Sequence, residues 1–574
     1  MKTYKIIFFF FSISLFFTGC KEYLDLEPNS TIGVNDFYSN KTEAEIALSG
    51  IYSIFANDAV YGRDMSIAME AGTDEGYYNR RFNENWTVGL YRHTSADSYV
   101  FDLWTNLYEA INLSNLFNEK LQKDAFEEAE YNRLLAEALF LRAHAYALLV
   151  NWYEEVPMPL TSTQDQSANN LAVSSLEIVY EQIIKDFTFA SEHLVNVGDP
   201  NYVQGRATKT AAQGLLARVY LKMAGFPLND KTKFALAKLE CEKVINSGVH
   251  SLNLSTSSTI TDPATNDTRI VVTVDGYRNH FLNYIKGTYD INESIFEISF
   301  KYLRDQGLFT DGRIGEANGL NFNFGGGQPG FPFAFAGYSP SPLLENSYET
   351  ANDSIRKTWN LPAFEYRNDG NIRRVENELS PNFAPGKFRR WEPADLADLD
   401  RDVVPGSQQA YVILEQGPIF KNFTNINFPV LRYSDVLLMY AEADNEVNGM
   451  PSSLAVQYLN NVRNRAGLEP IGIAKPSAIA SKENFFKEIV EERFREFAFE
   501  ALRKHDLIRW GLLGERLKLL EQSIIGHPNY SPTNANHDAF LKASRFFDPS
   551  KHLSLPYPLQ EVQLNNALEQ KPNW

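Results

Sequence analysis

Residues 431–443 have the sequence LRYSDVLLMYAEA, which places Asp435 and Glu442 among apolar residues close to Arg432. A segment this apolar is expected to be buried, and charged side chains are seldom fully buried unless they are paired. The stretch therefore predicts a helix that carries buried ion pairs.

Two later segments continue this mixture of arginine and apolar residues: NNVRNRAGL at 460–468 and RKHDLIRWG at 503–511. Four more charged residues lie between them: Glu491, Glu492, Arg493 and Arg495. Because charges of both signs cluster in segments with helical periodicity, we interpret them as an ion network between helices rather than as a catalytic cluster.

Apolar residues with a period near 3.6 predict further helices along the chain. The predicted ranges are 42–57, 98–122, 128–152, 174–195, 208–224, 231–246, 433–448, 452–466 and a long 482–513. Two of them carry alanines where neighbouring helices would pack, at positions 136, 143 and 147 and at 211, 212 and 217. Small residues of this kind let helices approach closely, as in tetratricopeptide-type (TPR-like) hairpins. We predict a mostly α fold of TPR-like stacked helix hairpins.

The chain changes character in the middle. After N-terminal helices over 20–250, residues 251–428 form a loop-rich insert, in which β-branched runs at 269–274 and 294–300 predict short strands. Residues 307–338 hold nine glycines and six phenylalanines, which favours a packed irregular loop or part of a binding surface. Helices and a docked tail are expected over 429–574.

The first nineteen residues are expected to be a signal peptide. Lys2 and Lys5 precede an apolar run at 6–17, and Thr18 and Gly19 lead directly to Cys20. This pattern resembles a bacterial lipoprotein signal, in which Cys20 becomes the acylated first residue of the mature chain and anchors it to a membrane. An ordinary secretory signal with a chance cysteine is the alternative. No second apolar stretch is expected to span a bilayer.

Composition and the absence of known motifs argue against several classes of function. The formal net charge of −18 disfavours nucleic acid as a partner. The sequence contains no phosphate-binding glycine loop, no zinc-protease motif and no nucleophile elbow, so we predict neither catalysis nor a cofactor. Asp395, Asp398, Asp400 and Asp402 carry oxygens that suit Ca²⁺, but their spacing is not that of an EF-hand, and we favour a solvated loop without metal.

The segments quoted above, in their order, resemble the SusD/RagB family of nutrient-binding outer-membrane lipoproteins. The N-terminal half agrees through Tyr23-Leu24-Asp25, the sequence AEALFLRA at 136–143 and GRATK at 205–209. The resemblance implies a protein on the outer face of the outer membrane that captures a nutrient, usually a glycan. It also implies delivery of that nutrient to a SusC-like TonB-dependent transporter.

The expected ligand contacts follow from the chemistry of a sugar ring, whose C–H faces pack on aromatic side chains and whose hydroxyl edges form hydrogen bonds. Trp86 is the first candidate because it follows a loop-like segment that mixes aromatic and hydrogen-bonding residues. The full set of predicted ligand-binding residues is Tyr77, Tyr78, Arg81, Asn83, Trp86, Phe324 and Trp391. A peptide ligand, a helical glycoside hydrolase and a TPR scaffold that binds only proteins remain alternatives.

Overall fold

The computed structural model describes residues 37–79, 85–165, 170–261, 268–306, 308–396, 399 and 408–574. Its N-terminal part is a series of helices, each of which packs against the next in the chain. They are α1 (Lys41–Phe55), α2 (Ser98–Lys120), α3 (Glu128–Tyr153), α4 (Leu176–His193), α5 (Lys209–Ala224) and α6 (Lys233–Asn246). All six predicted N-terminal helices are confirmed to within a few residues.

The small residues explain how closely these helices pack. Ala136 and Ala143 of α3 and Ala211 and Ala217 of α5 are all completely buried. Helix α3 alone among the described helices has the length and mean hydropathy of a membrane span, but 78% of that span is buried inside the protein. Its apolar character is therefore explained by its place in the core of the helical stack.

The middle of the chain contains short strands that pair in twos, as the sequence predicts. The antiparallel pairs are β1 (Gly76–Tyr78) with β7 (Tyr338–Pro340), β2 (Thr256–Thr261) with β3 (Thr268–Val274), β4 (Ser294–Ile298) with β12 (Phe428–Arg432), β5 (Lys301–Leu303) with β6 (Leu308–Thr310), β8 (Phe364–Tyr366) with β9 (Ile372–Arg374), and β10 (Trp391–Pro393) with β11 (Tyr411–Ile413). Four helices lie among them: α7 (Gly276–Lys286), α8 (Ile314–Ala317), α9 (Pro342–Ala351) and α10 (Ser354–Asn360).

The C-terminal part is again helical, and α11 packs on α6 to continue the N-terminal stack. Its helices are α11 (Tyr433–Asn448), α12 (Ser453–Arg465), α13 (Ile471–Ala474), α14 (Lys482–Glu496), α15 (Arg503–Arg509), α16 (Leu513–Ile525), α17 (Ala535–Phe540), α18 (Lys542–Phe546) and α19 (Leu559–Leu564). The tail docks as expected, since Leu555 N donates to Trp152 O at 2.7 Å and the Tyr557 hydroxyl donates to Glu155 O at 2.7 Å.

The prediction of one long helix over 482–513 is wrong. Helix α14 ends at Glu496, and Phe499 and Ala501 adopt left-handed backbone conformations with φ of +68° and +56°. Such conformations cannot continue a right-handed helix. The break is held by a contact from a distant part of the chain, because Phe499 N donates to Glu75 Oε1 at 2.7 Å.

A buried set of ion pairs, here called the central ion network, joins the middle of the chain to the C-terminal helices. Its members are Glu293, Asp353, Arg356, Lys387, Arg432, Arg463, Arg465, Glu488, Glu492, Arg495, Glu496 and Glu500. The predicted ion network between helices is confirmed for Arg463, Arg465, Glu492 and Arg495. Arg493 instead pairs with Asp435 and Asp506, and Glu491 pairs with Arg516 outside the network.

Asp435 and Glu442 are buried ion partners as predicted, but not of Arg432. The Asp435 carboxylate pairs with Arg493 and Arg218, each at 2.6 Å, while Glu442 Oε2 accepts from Arg509 at 2.8 Å. Burial alone would raise the pKa of Asp435, yet the guanidiniums of Arg493 and Arg218 hold that pKa at about 2.

Candidate functional site

An open cleft of about 600 Å³ lies where strand β1, the start of α2, helix α8 and the loop before β7 meet. We call it the Trp86 cleft. It is lined by Arg63, Asp64, Tyr78, Asn85, Trp86, Thr87, Asp97, Ser98, Tyr99, Asp102, Arg313, Glu316, Ala317 and Phe335. The cleft therefore combines aromatic rings with guanidinium, carboxylate, hydroxyl and amide groups.

The aromatic wall of the cleft is built from two strands and a glycine. Trp86 stacks on Tyr78 of β1 with ring centroids 4.7 Å apart and contacts Tyr338 of β7 edge-on at 6.5 Å. A Cβ on Gly337 would lie 2.8 Å from the Phe335 ring and 3.5 Å from Trp86. Glycine at this position thus lets the half-buried Phe335 ring lie next to Trp86.

The polar wall is fixed by ion pairs and helix capping. Arg63 and Asp64 lie where two π-helical turns meet, and the Arg63 Nε donates to Asp64 Oδ1 at 2.5 Å. Next to this pair, Arg313 N donates to Gly62 O at 2.9 Å, and Arg313 Nη2 is 3.2 Å from Glu316 Oε2. Burial raises the pKa of both Asp64 and Glu316, while the adjacent guanidiniums oppose that shift.

The start of α2 supplies the third side. Asp97 caps this helix by accepting from Tyr99 N at 3.0 Å, and its other oxygen accepts from the Thr87 hydroxyl at 2.6 Å. Asp102 follows one turn later with its side chain exposed. These groups add hydrogen-bond acceptors to a cleft that also contains rings, a combination suited to holding a polyhydroxylated ring by its faces and edges.

Strand alternation separates the two tyrosines that the sequence groups with Trp86. Tyr78 lies in the cleft wall, but Tyr77 points to the other side of β1, where it is buried and stacks on Phe540 at 4.5 Å. Ligand contact by Tyr77 is therefore corrected to core packing. Arg81 and Asn83 lie outside the described residues, as does Cys20.

Trp391 also needs correction. Its side chain is fully buried in an aromatic cluster, 5.4 Å from the ring of Phe322 and 5.5 Å from that of Tyr366, and its Nε1 donates to Leu320 O. This burial leaves no face for a ligand. Phe324 is half-buried at the edge of the same cluster and is not part of the Trp86 cleft.

Of the fourteen lining residues, only Tyr78 and Trp86 were among the predicted ligand contacts. Arg63, Asp64, Arg313 and Glu316, which were missed, are brought together from positions some 250 residues apart in the chain, and nothing in their spacing indicates this. Phe335 belongs to the glycine- and phenylalanine-rich segment that was predicted as a possible binding surface. Within the described residues no group of acidic, histidine or cysteine side chains is arranged to hold a metal ion; Asp398, Asp400 and Asp402 lie outside them.

Strand β1 is anchored beneath the cleft by Glu75, whose Oε1 accepts from Phe499 N at 2.7 Å and from the Tyr338 hydroxyl at 3.2 Å. Burial raises the pKa of Glu75 to about 8. Above the unfolded pKa of 4.5 the unfolded chain releases this proton while the folded chain keeps it, so stability falls as pH rises towards 8.

We therefore expect Glu75→Gln to remove part of this pH dependence, because glutamine keeps the accepting oxygen without the charge. From pH 5 to pH 7 the unfolding free energy of the wild type should fall on the order of 2 kcal/mol more than that of the variant. Urea unfolding at pH 5, 6, 7 and 8 measures this difference. Glu109→Gln, on the exposed side of α2, is the control, and parallel curves for Glu75→Gln and wild type would contradict the expectation.

Comparisons with known proteins agree with the fold. Residues 409–574 match the model of the SusD family, and residues 22–221 match a model described as starch-binding associating with outer membrane. SusD-like protein P25 of Formosa agariphila is 25% identical over 99% of this chain and 98% of its own length.

Solved structures give the same result. A SusD homolog from Bacteroides thetaiotaomicron superposes with a TM-score of 0.78 at 25% identity, covering 94% of this chain and 98% of that chain. A laminarin-binding SusD-like protein has the same fold, with a TM-score of 0.63 at 21% identity over 94% of this chain and all of its own. The chain therefore has the fold of SusD-like proteins, and its residues 409–574 match the SusD family model.

Proposed function

We propose that the chain captures an oligosaccharide or polysaccharide in the Trp86 cleft and delivers it to a SusC-like TonB-dependent transporter. The observation that carries this proposal is the composition of the cleft. The half-buried ring of Phe335 and the small exposed part of Trp86, which is 6% exposed, can pack on the C–H face of a sugar, and the carboxylates and guanidiniums that line the same cleft can bind its hydroxyl groups.

Two further findings support a glycan at the outer membrane. The model matched by residues 22–221 is described as starch-binding and associated with that membrane, and one protein of the same fold binds laminarin. Lipidation at Cys20 would supply the anchor. The stacked helices α1 to α6 would supply a broad surface for the transporter.

A panel of soluble polysaccharides, with a peptide pool alongside, tests the proposal by calorimetry or affinity electrophoresis. We expect one glycan class to bind the wild type and both Trp86→Ala and Phe335→Ala to weaken that binding about tenfold or more, as expected when an aromatic anchor is truncated. Phe324→Ala is the matched control, because Phe324 is the same residue type in the same loop, also half-buried, but outside the cleft.

The outcomes separate the alternatives. Loss of binding in Phe324→Ala with full binding in Phe335→Ala would place the binding site at the edge of the aromatic cluster around Trp391. Binding of peptides but of no glycan would show that the ligand is a peptide, and the proposed role in nutrient capture would stand. Thermal melting of each variant shows whether a lost affinity reflects the cleft or a loss of folding.

A further inference from the structure

A second cavity, of about 90 Å³ and partly open to solvent, lies between α3, α4, α5 and α15. We call it the Lys222 cavity. It shares no lining residue with the Trp86 cleft. Helix α3 turns His144, Ala147, Leu148, Asn151 and Trp152 towards it, and α5 turns Leu215, Arg218, Val219 and Lys222. Both sets have the 3–4 residue spacing of a single helix face.

Most charges around this cavity form ion pairs, whereas the Glu70 carboxylate accepts from the backbone Lys504 N at 3.3 Å and Lys222 stands apart. Arg218 and Arg493 share Asp435, and Arg509 pairs with Glu442 and Asp506. Lys222 is 8% exposed, and its ammonium group makes no hydrogen bond or ion pair with any residue that the structure describes. A buried ammonium without a partner is costly, and burial accordingly lowers the pKa of Lys222 to about 8.

His505 is a second unsatisfied group in the same cavity. Neither ring nitrogen makes a hydrogen bond to a described residue, and Nε2 lies 3.8 Å from Glu70 Oε1. Burial, and then the ammonium groups of Lys222 and Lys504, hold the pKa of His505 well below its ordinary value. The ring is therefore neutral and offers one N–H donor beside the positive charge of Lys222.

The remaining walls are mostly apolar. Leu148 and Val219 each lie one helical turn before a polar lining residue, Trp152 and Lys222 respectively, and the side chains of Tyr180 and Phe187 from α4 extend the apolar surface. A volume of about 90 Å³ is enough for on the order of six waters, and is smaller than the cavity of about 150 Å³ that holds benzene. An occupant must therefore be small.

We propose that the Lys222 cavity binds a short aliphatic carboxylic acid as its anion. The carboxylate lies against the ammonium of Lys222 and the N–H of His505, and a chain of two to four carbons lies against Leu148 and Val219. A single ligand of this class forms hydrogen bonds with both unpaired polar groups, Lys222 and His505, and its alkyl chain fills the apolar part of the cavity. Water could satisfy the polar groups but would leave the apolar walls without contacts.

Calorimetry and thermal melting of the full chain with sodium butyrate test the proposal. Butyramide is the control of the same shape without charge, and sodium chloride is the control of the same ionic strength. Butyrate should bind and raise the melting temperature, while butyramide and chloride should not. Equal effects of butyrate and butyramide, or no effect of either, would overturn the proposal, the second result indicating a cavity filled by water. This comparison needs no variant.

Lys222→Met supplies the residue-level test, because methionine replaces the stem of lysine without its charge. Butyrate should bind this variant at least tenfold more weakly, and its melting temperature without ligand should not be lower than that of the wild type, since an unpaired buried charge is removed. Lys209→Met, at the start of the same helix and outside the cavity, is the control. Unchanged butyrate binding in Lys222→Met would contradict the assignment.

Discussion

Replacing Glu496 with alanine is expected to lower the unfolding free energy by about 3–5 kcal/mol, the cost of leaving a buried charge uncompensated. Glu496 lies at the centre of the central ion network and is completely buried. Its Oε1 pairs with Arg432 at 2.9 Å and with Arg465, and its Oε2 pairs with Arg356 at 3.0 Å.

The size of this effect follows from what remains after the substitution. Three guanidiniums would lose an acceptor at a site with no access to water. The net charge of the network would become more positive by one unit, because one carboxylate is removed. These same guanidiniums, acting against the effect of burial, hold the pKa of Glu496 far below its ordinary value. A loss of this size is a large fraction of the stability of a typical domain, which is about 5–15 kcal/mol.

Urea unfolding of the variant and of a matched surface control measures the effect. Glu521→Ala removes the partner of Arg545 in a pair whose side chains are 31% and 43% exposed, and should cost at most about 1 kcal/mol. Glu496→Gln, which keeps the shape and one accepting oxygen, should lie between the two. If Glu496→Ala were no less stable than Glu521→Ala, the network would not be a determinant of stability.

The central ion network also shows how far the sequence predicts the fold. The periodicity of apolar residues locates the helices well, because each apolar face is formed by residues of consecutive helical turns. The clustering of arginine and glutamate likewise indicates an ion network, but it does not show which charges pair. Arg432 pairs with Glu293, Glu496 and Glu500 rather than with Asp435, because the sequence does not show which helices meet.

The end of α14 has the same physical origin. Apolar periodicity runs on through Phe499 and Ala501, yet both residues are left-handed, and Phe499 N donates to Glu75, more than 400 residues earlier in the chain. Tertiary contacts here override local preference. A helix break enforced by a long-range contact cannot be found from periodicity.

The candidate site divides in a similar way. The prediction of Trp86 rests on a local mixture of aromatic and polar residues, and the structure places that tryptophan in the wall of an open cleft with 6% of its surface exposed. The arginines and carboxylates opposite it come from two distant segments, so only the fold brings them together. Trp391 carried much the same local signal, with Arg389 and Arg390 beside it, yet it lies at the centre of a core cluster.

Replacing Trp391 with alanine is therefore expected to cost stability and not ligand affinity. Truncation of a fully buried tryptophan should lower the unfolding free energy by about 3–5 kcal/mol, through lost contacts and the cavity left behind. Its hydrogen bond to Leu320 O would be lost as well. Trp391→Phe, which fills most of the volume, should be milder.

The measurement compares unfolding by urea with glycan binding at a temperature where each variant remains folded. For Trp391→Ala we expect a large drop in unfolding free energy with affinity unchanged, and for Phe335→Ala the reverse, because its half-buried ring lines the Trp86 cleft. This crossed result would separate core packing from ligand contact for two aromatic residues in segments that the sequence analysis connected with ligand binding. A Trp391→Ala protein that melts like the wild type but no longer binds glycan would instead place Trp391 at the binding surface.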